Sequence, residues 1–227
     1  MNTWQRLSRV VLCFALLVLG TAATVPAQEA LPTVGADDNF AVMPCRLGKA
    51  RPDMAAERKE IIDCTLGELC FLEGNPLQGA AEIITGLVQQ EVAKRVGARV
   101  TPLEQAQERF RLLPQAPDQT LRAVAIELGK KLKVDYVVAS TLWRFDERQG
   151  GAMAVQNPAS VAFAVFLVNV ESGKIAWQGI FDKTQTSLSE NLLDAPIFIA
   201  KGMRWLSGQE LAHYGVERMF TKFPSGT

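Results

Sequence analysis

Three cysteines, Cys45, Cys64 and Cys70, are the first residues in the chain whose chemistry invites a reading; the last two lie in "DCTLGELCFLEGNP" at 63–76. Structural zinc takes four Cys or His ligands, and the single histidine, His213 in "ELAHYGVERMF", is far along the chain. C-x5-C is not the C-x-x-C of thiol oxidoreductases, and no C-x-x-C-H haem site accompanies it. A hydrolase needs a nucleophile, a base and an orienting group. His213 falls in a helical pattern with no G-x-S-x-G stretch elsewhere, which reads as an ordinary helical residue. The carboxylate pairs Asp37-Asp38 and Asp146-Glu147 sit in polar stretches and read first as solvated surface. "GELCFLEG" lacks the Walker spacing and its Lys-Ser/Thr ending. Asp135, at a helix–strand junction, reads as a local cap. These patterns lead us to expect no catalytic, cofactor-binding or metal residues, and no cofactor.

The cysteines acquire a simpler role from the N-terminus. Arg6 and Arg9 precede an apolar run, "VVLCFALLVLG", and "TAATVPA" offers small residues at Val25 and Ala27. That is the pattern of a secretory signal peptide over residues 1–27, cut after Ala27. The run is shorter than the ~20 apolar residues that span a bilayer. The alternative is a tether formed by an uncleaved N-terminal segment. Cys13 lies inside the apolar run, not at the cut site where a lipid would be attached. The expected location is the periplasm. In an oxidising envelope disulfides are the default. The first strand ends beside Cys45 and the first long helix starts near that strand's end, so the excursion between them must return toward Cys45. That favours Cys45–Cys64, with Cys45–Cys70 and Cys64–Cys70 as alternatives and one thiol left over.

Removing residues 1–27 removes two arginines and no acid, leaving 22 basic and 24 acidic side chains, a formal charge of −2. Such a balance offers nothing electrostatic to nucleic acid or to an anionic membrane. The remaining ~200 residues suit one domain. We place a flexible lead-in at 28–38, the domain at 39–222 and a disordered tail at 223–227.

The elements follow from periodicity. "NFAVMP" is a short strand closed by Pro44. Asn75-Pro76 reads as a helix start. Behind it Ala80, Ile84, Val88, Val92 and Val96 recur every four residues with Leu87 beside them, Glu91 and Arg95 pair on the outer side, and Gly97 stops the helix. "ARVTP" predicts a strand, and Thr101-Pro102-Leu103-Glu104 a capping box opening a brief helix. Asp118 is the expected cap of a further helix with Leu121, Val124, Ala125, Leu128 and Leu132 as its buried stripe, weakened near Gly129. Strands are predicted at 134–145, 160–170 and 174–185, the last two a hairpin through "ESGK". The run from Val161 to Val168 predicts burial on both faces. Ile175, Trp177 and Phe181 are placed on one face of the last strand. Trp143 and Trp177 read first as core and second as an aromatic patch for a partner. Helices near 195–206 and 208–221 finish the chain, the last opened by the capping box Ser207-Gly208-Gln209-Glu210. A strand–helix–strand start calls for a right-handed crossover, so the expected fold is a single α/β sandwich: a mixed sheet of about five strands with helices packed on it.

Leu128-Gly129, Val134 to Val138 ("VDYVV") and Ile175 to Trp177, with the opening "FAVMP", resemble a family of bacterial envelope proteins with an anticodon-binding-domain-like fold. It includes CsgG, LpoB and the N-terminal domain of TolB. The resemblance covers roughly residues 39–220 and implies that same fold, together with action by binding other envelope proteins instead of catalysis. Two features depart from it: no cysteine follows the cut site to take a lipid, and "DERQGGAMAVQNP" is too short for a membrane-spanning hairpin of ~9–11-residue strands. The expected function is a soluble, non-enzymatic binding or assembly module whose partner is another envelope protein or a glycan, with homo-oligomers allowed. The alternatives are a carboxylate-based hydrolase of unrecognised type and a subunit of an outer-membrane assembly.

Overall fold

The computed structural model describes residues 33–48, 60–63, 77–152, 155–186 and 204–226. The expected signal peptide, its cut after Ala27, Cys64, Cys70 and the Asn75-Pro76 helix start lie outside the described residues. So does most of the helix expected at 195–206, whose described end, Arg204 to Leu206, is not helical.

Seven strands are described: β1 (Phe40–Val42), β2 (Arg46–Leu47), β3 (Tyr136–Asp146), β4 (Gln149–Gly150), β5 (Val155–Asn157), β6 (Ser160–Asn169) and β7 (Ile175–Thr184). The helices are α1 (Glu60–Asp63), α2 (Ala80–Val96), α3 (Leu103–Arg111), α4 (Leu121–Leu132) and α5 (Gly208–Phe220). β3 is the centre of a five-stranded mixed sheet. β1 and β2 both pair parallel to it along one side, in registers Val42↔Val138 and Leu47↔Leu142. β6 pairs antiparallel on the other side, and β7 pairs antiparallel beyond β6. β4 and β5 form a separate two-stranded hairpin where β3 and β6 leave the sheet.

Side-chain alternation along the strands builds two cores. Tyr136, Val138 and Leu142 of β3 and Val161, Phe163, Val165 and Leu167 of β6 pack under α2 and α5. Val137, Ala139 and Trp143 with Ala162, Ala164, Phe166 and Val168 pack with residues of α3 and α4. Burial on both faces is the reason β6 reads as an unbroken apolar run. Each large apolar side chain so buried contributes about 1.5–3 kcal/mol. The β6–β7 turn is set by Gly173 at φ 68°, whose amide donates to Asn169 O at 2.9 Å, while Asn169 Oδ1 accepts from Ser172 N at 2.8 Å.

Several local expectations are corrected by identifiable physics. α2 begins at Ala80, after Gly79, whose φ of 82° cannot continue a helix. Glu91 is not on an outer face: it is 4% exposed and held by Lys94 Nζ and Arg95 Nη1, both at 2.5 Å. "ARVTP" contributes one isolated parallel bridge, Val100 to Phe40, because Gly97–Arg99 form a 3-10 turn. Thr101 forms no capping box; Pro102 takes the N-cap position of α3 without a side-chain bond. Thr120, not Asp118, caps α4, its hydroxyl accepting from Ala123 N. α4 runs through Gly129 to Leu132, since a Cβ there would meet Val170 Cγ2 at 2.3 Å and Val137 Cγ2 at 2.9 Å: the glycine lets helix and sheet touch. The capping box of α5 forms as expected between Ser207 and Glu210.

Residues at both ends of the described chain are packed on the domain. Arg99 donates to Gly35 O, Asp38 O and Ser225 O, and Tyr136 OH donates to Thr33 O. Phe223, assigned to the tail from sequence, is 7% exposed and stacks on Phe220 with ring centroids 4.8 Å apart.

Candidate partner-binding edge and adjoining cleft

β7 is the last strand of the sheet, and among the described residues no strand pairs with its outer side. The backbone groups of alternate β7 residues that face away from β6 thus have no strand partner among the described residues, the arrangement an added strand uses. The sequence carries edge signals inside this strand: Gly179, and Asp182-Lys183 near its end. A register shift opposite Leu167 and Val168 skips one residue between Ile175 and Trp177. That bulge turns Ile175 onto the α4 side while Trp177 and Phe181 remain on the α2/α5 side, correcting the single face expected for all three.

The two tryptophans part company. Trp143 is fully buried on β3 and cannot be a partner surface. Trp177 is partly exposed and closes a row of aromatic rings. Its ring lies 5.3 Å from Phe220 and 5.2 Å from Phe223, and the Arg95 guanidinium stands 5.3 Å from the Phe220 ring centre. Phe223 continues the row to Phe40 and Tyr136, so Trp177 is rigidly mounted beside the open edge. α5 seats closely on β7, because Gly215 presents only a hydrogen where a Cβ would be 2.6 Å from Phe181.

A cleft of ≈ 580 Å³ opens at the far end of β7, lined by Leu77, Asp146, Glu147, Gln149, Asn157 and Thr184 among others. It places the pair Asp146-Glu147, which reads from sequence as solvated surface, beside residues from three other segments. Glu147 Oε1 accepts from Gly208 N at 2.9 Å and Arg148 N at 3.0 Å, which makes Glu147 a second acidic cap on α5. Among the described residues the Asp146 carboxyl accepts no hydrogen bond; burial raises its pKa above the usual carboxylate value, against the pull of nearby Arg144. Gln149 and Asn157, opposed across the β4–β5 hairpin, were missed from sequence because only the hairpin's register joins them.

The remaining sequence candidates are placed as follows. Cys45 is a free thiol, 7% exposed in the α2/α5 core, its amide donating to Thr85 Oγ1 at 2.9 Å. Burial raises its pKa from 9.0 to about 12, far from a reactive thiolate. His213 Nδ1 is 3.6 Å from Glu217 Oε2 one helical turn on, with the imidazole 38% exposed. Asp38 accepts from Gly35 N, and Asp135 accepts from Asn39 N across the β1–β3 junction. Among the described residues no group of three or more His, Cys, Asp or Glu side chains is placed to hold a metal ion, and no helix is long and apolar enough to cross a membrane.

Neither a family model nor a curated protein matches the chain. Among solved structures it is similar to the PelC dodecamer from Paraburkholderia phytofirmans, with 11% identity over 86% of this chain and 94% of that one (TM-score 0.47). It is also similar to Escherichia coli LpoB, with 14% identity over 74% of this chain and 77% of that one (TM-score 0.38). Lipoprotein GNA1162 from Neisseria meningitidis shares 18% identity over 73% of this chain and 97% of that one (TM-score 0.38). With every one of these TM-scores under 0.5, the likenesses bear on neither task nor family.

Proposed function

We propose that the protein is exported by a signal peptide cut after Ala27 and works in the periplasm as a non-enzymatic binding or assembly module. Its partner is another component of the cell envelope, engaged along the outer edge of β7 with Trp177 as a flanking anchor. The observation that carries this reading is the ten-residue terminal strand whose outer edge no described strand covers, beside a rigidly mounted, partly exposed tryptophan. Strand addition supplies affinity through main-chain hydrogen bonds and specificity through alternate side chains. A carboxylate hydrolase would need two uncommitted acids addressing one cleft, and of the two that line this one, Asp146 and Glu147, only Asp146 is uncommitted. Glu147 is instead engaged as a helix cap. In-cell crosslinking from a photoreactive residue at exposed Gln178, with the captured protein identified, tests the reading. Adducts at Gln178 but not at Glu104 on α3 are expected. Substrate turnover by the purified chain that depends on His213 or the paired acids would overturn it.

The staple is proposed in its local form, Cys64–Cys70. Cys45 belongs to the α2/α5 core, whereas Ile62 belongs to the opposite core and Asp63 is bound to Arg122 of α4 at 2.5 Å. A disulfide needs Cα atoms within ~4.4–6.8 Å, and the sheet stands between Cys45 and the chain next to Cys64. A non-reducing peptide map is expected to link Cys64 with Cys70 and leave Cys45 free; a Cys45-containing link would refute it.

A further inference from the structure

The cleft beside the β4–β5 hairpin carries unspent hydrogen-bonding capacity of a definite kind. Ser160 and Thr184 are satisfied, their hydroxyl oxygens 2.6 Å apart with Arg144 Nε donating to Ser160 Oγ at 2.7 Å. Glu147 has one oxygen committed to two amides. Besides Glu147 Oε2, three groups remain. The Asp146 carboxylate accepts no hydrogen bond among the described residues. Asn157 Nδ2 donates to Gln149 Oε1 at 2.7 Å, which leaves Asn157 Oδ1 as an acceptor and Gln149 Nε2 as a donor side by side.

These requirements select the ligand. Two carboxylates stand on the wall while neither Arg144, bound to Asp182, nor Arg148 lines it, which disfavours anions such as phosphate or uronate. An ammonium group or metal ion would meet the Gln149 amide donor, which no cation can satisfy. A neutral polyol fits: a carboxylate accepts from two adjacent hydroxyls, and an amide donor–acceptor pair matches an acetamido group, which also donates once and accepts once. Leu77, 43% exposed, and Pro158 supply apolar wall for a sugar ring face or an acetyl methyl. We propose that this cleft binds a neutral, N-acetylated glycan, with Asp146 taking a pair of ring hydroxyls and the Gln149–Asn157 pair taking the acetamido group. The site lies apart from Gln178 at the middle of β7, so crosslinking there and glycan binding here succeed or fail separately.

Titration of N,N′-diacetylchitobiose into the isotope-labelled full chain, followed by amide chemical shifts, tests the assignment. Saturable shifts centred on Gln149 and Asn157 are expected. Asp146→Asn and Asn157→Ala should each weaken binding at least tenfold while the rest of the spectrum stays that of a folded protein, and Glu104→Gln should leave it unchanged. No saturable shift at millimolar sugar would overturn the proposal. So would binding confined to glucosamine oligomers, in which ammonium replaces acetamide, or affinity unmoved by both cleft variants.

Discussion

Gly129→Ala is the sharpest single perturbation the fold offers, because two well-calibrated effects oppose each other there. In a helix interior alanine is favoured over glycine by about 1 kcal/mol, so propensity alone makes the substitution stabilising. The new Cβ would lie 2.3 Å from Val170 Cγ2, 3.1 Å from Val170 Cγ1 and 2.9 Å from Val137 Cγ2. Both valines are buried and stiff at χ1, so α4 must lift from the sheet. Overpacking costs about 1–3 kcal/mol, and a contact this short at a branched neighbour belongs at the upper end. The net expectation is a loss of about 2 kcal/mol, or roughly 4–8 °C in Tm for a domain of this size. Gly86→Ala, in α2, is the matched control: nothing lies within 4 Å of its Cβ position, so it should gain up to about 1 kcal/mol. Urea unfolding of both variants followed by circular dichroism reads the difference. A Gly129→Ala protein as stable as the parent, or the two variants shifting in the same direction, would refute the close helix–sheet approach.

Further outcomes follow from the polar groups. Lys94 and Arg95 hold buried Glu91 below the usual glutamate value of 4.5 although burial works the other way. A depressed folded pKa gives stability that is full above the unfolded value and is lost as pH falls through the folded one. Glu91→Gln should cost about 1–3 kcal/mol at pH 7, and its deficit should shrink below pH 4.5 in a denaturant series. Cys45 should resist alkylation in the folded protein and react promptly in 6 M guanidinium; mass spectrometry of the labelled peptides reads it, and rapid native labelling would contradict the burial. Ser207→Ala removes the capping-box hydroxyl bonded to Glu210 N and should destabilise by about 1 kcal/mol in the same unfolding assay.

What could be read from the residues, and what could not, follows the range of the interactions involved. β3, β6 and β7 were legible to within two residues, since strands buried on both faces or alternating along a hairpin declare themselves locally. The stripe of α2 was legible for the same reason. Its start was not, because the left-handed turn at Gly79 depends on where Leu77 N meets Phe145 O, 3.1 Å away and distant in sequence. Gly129 looked like a helix weakness until the sheet beneath it was placed. Trp143 and Trp177 carry the same local signal. Only strand order sends one into a closed core and leaves the other beside an edge. The cleft was illegible as a unit: Leu77, Asp146, Asn157 and Thr184 come from four segments that meet through the sheet and its hairpin.

Hydrogen–deuterium exchange on the complex isolated by crosslinking tests the central claim most directly. If a partner adds along the sheet, amides across residues 175–184 that exchange rapidly in the free chain should be strongly protected in the complex, with α3 unchanged. Equal exchange of β7 in the free and bound protein, with protection gathered on another element, would contradict an edge-binding module.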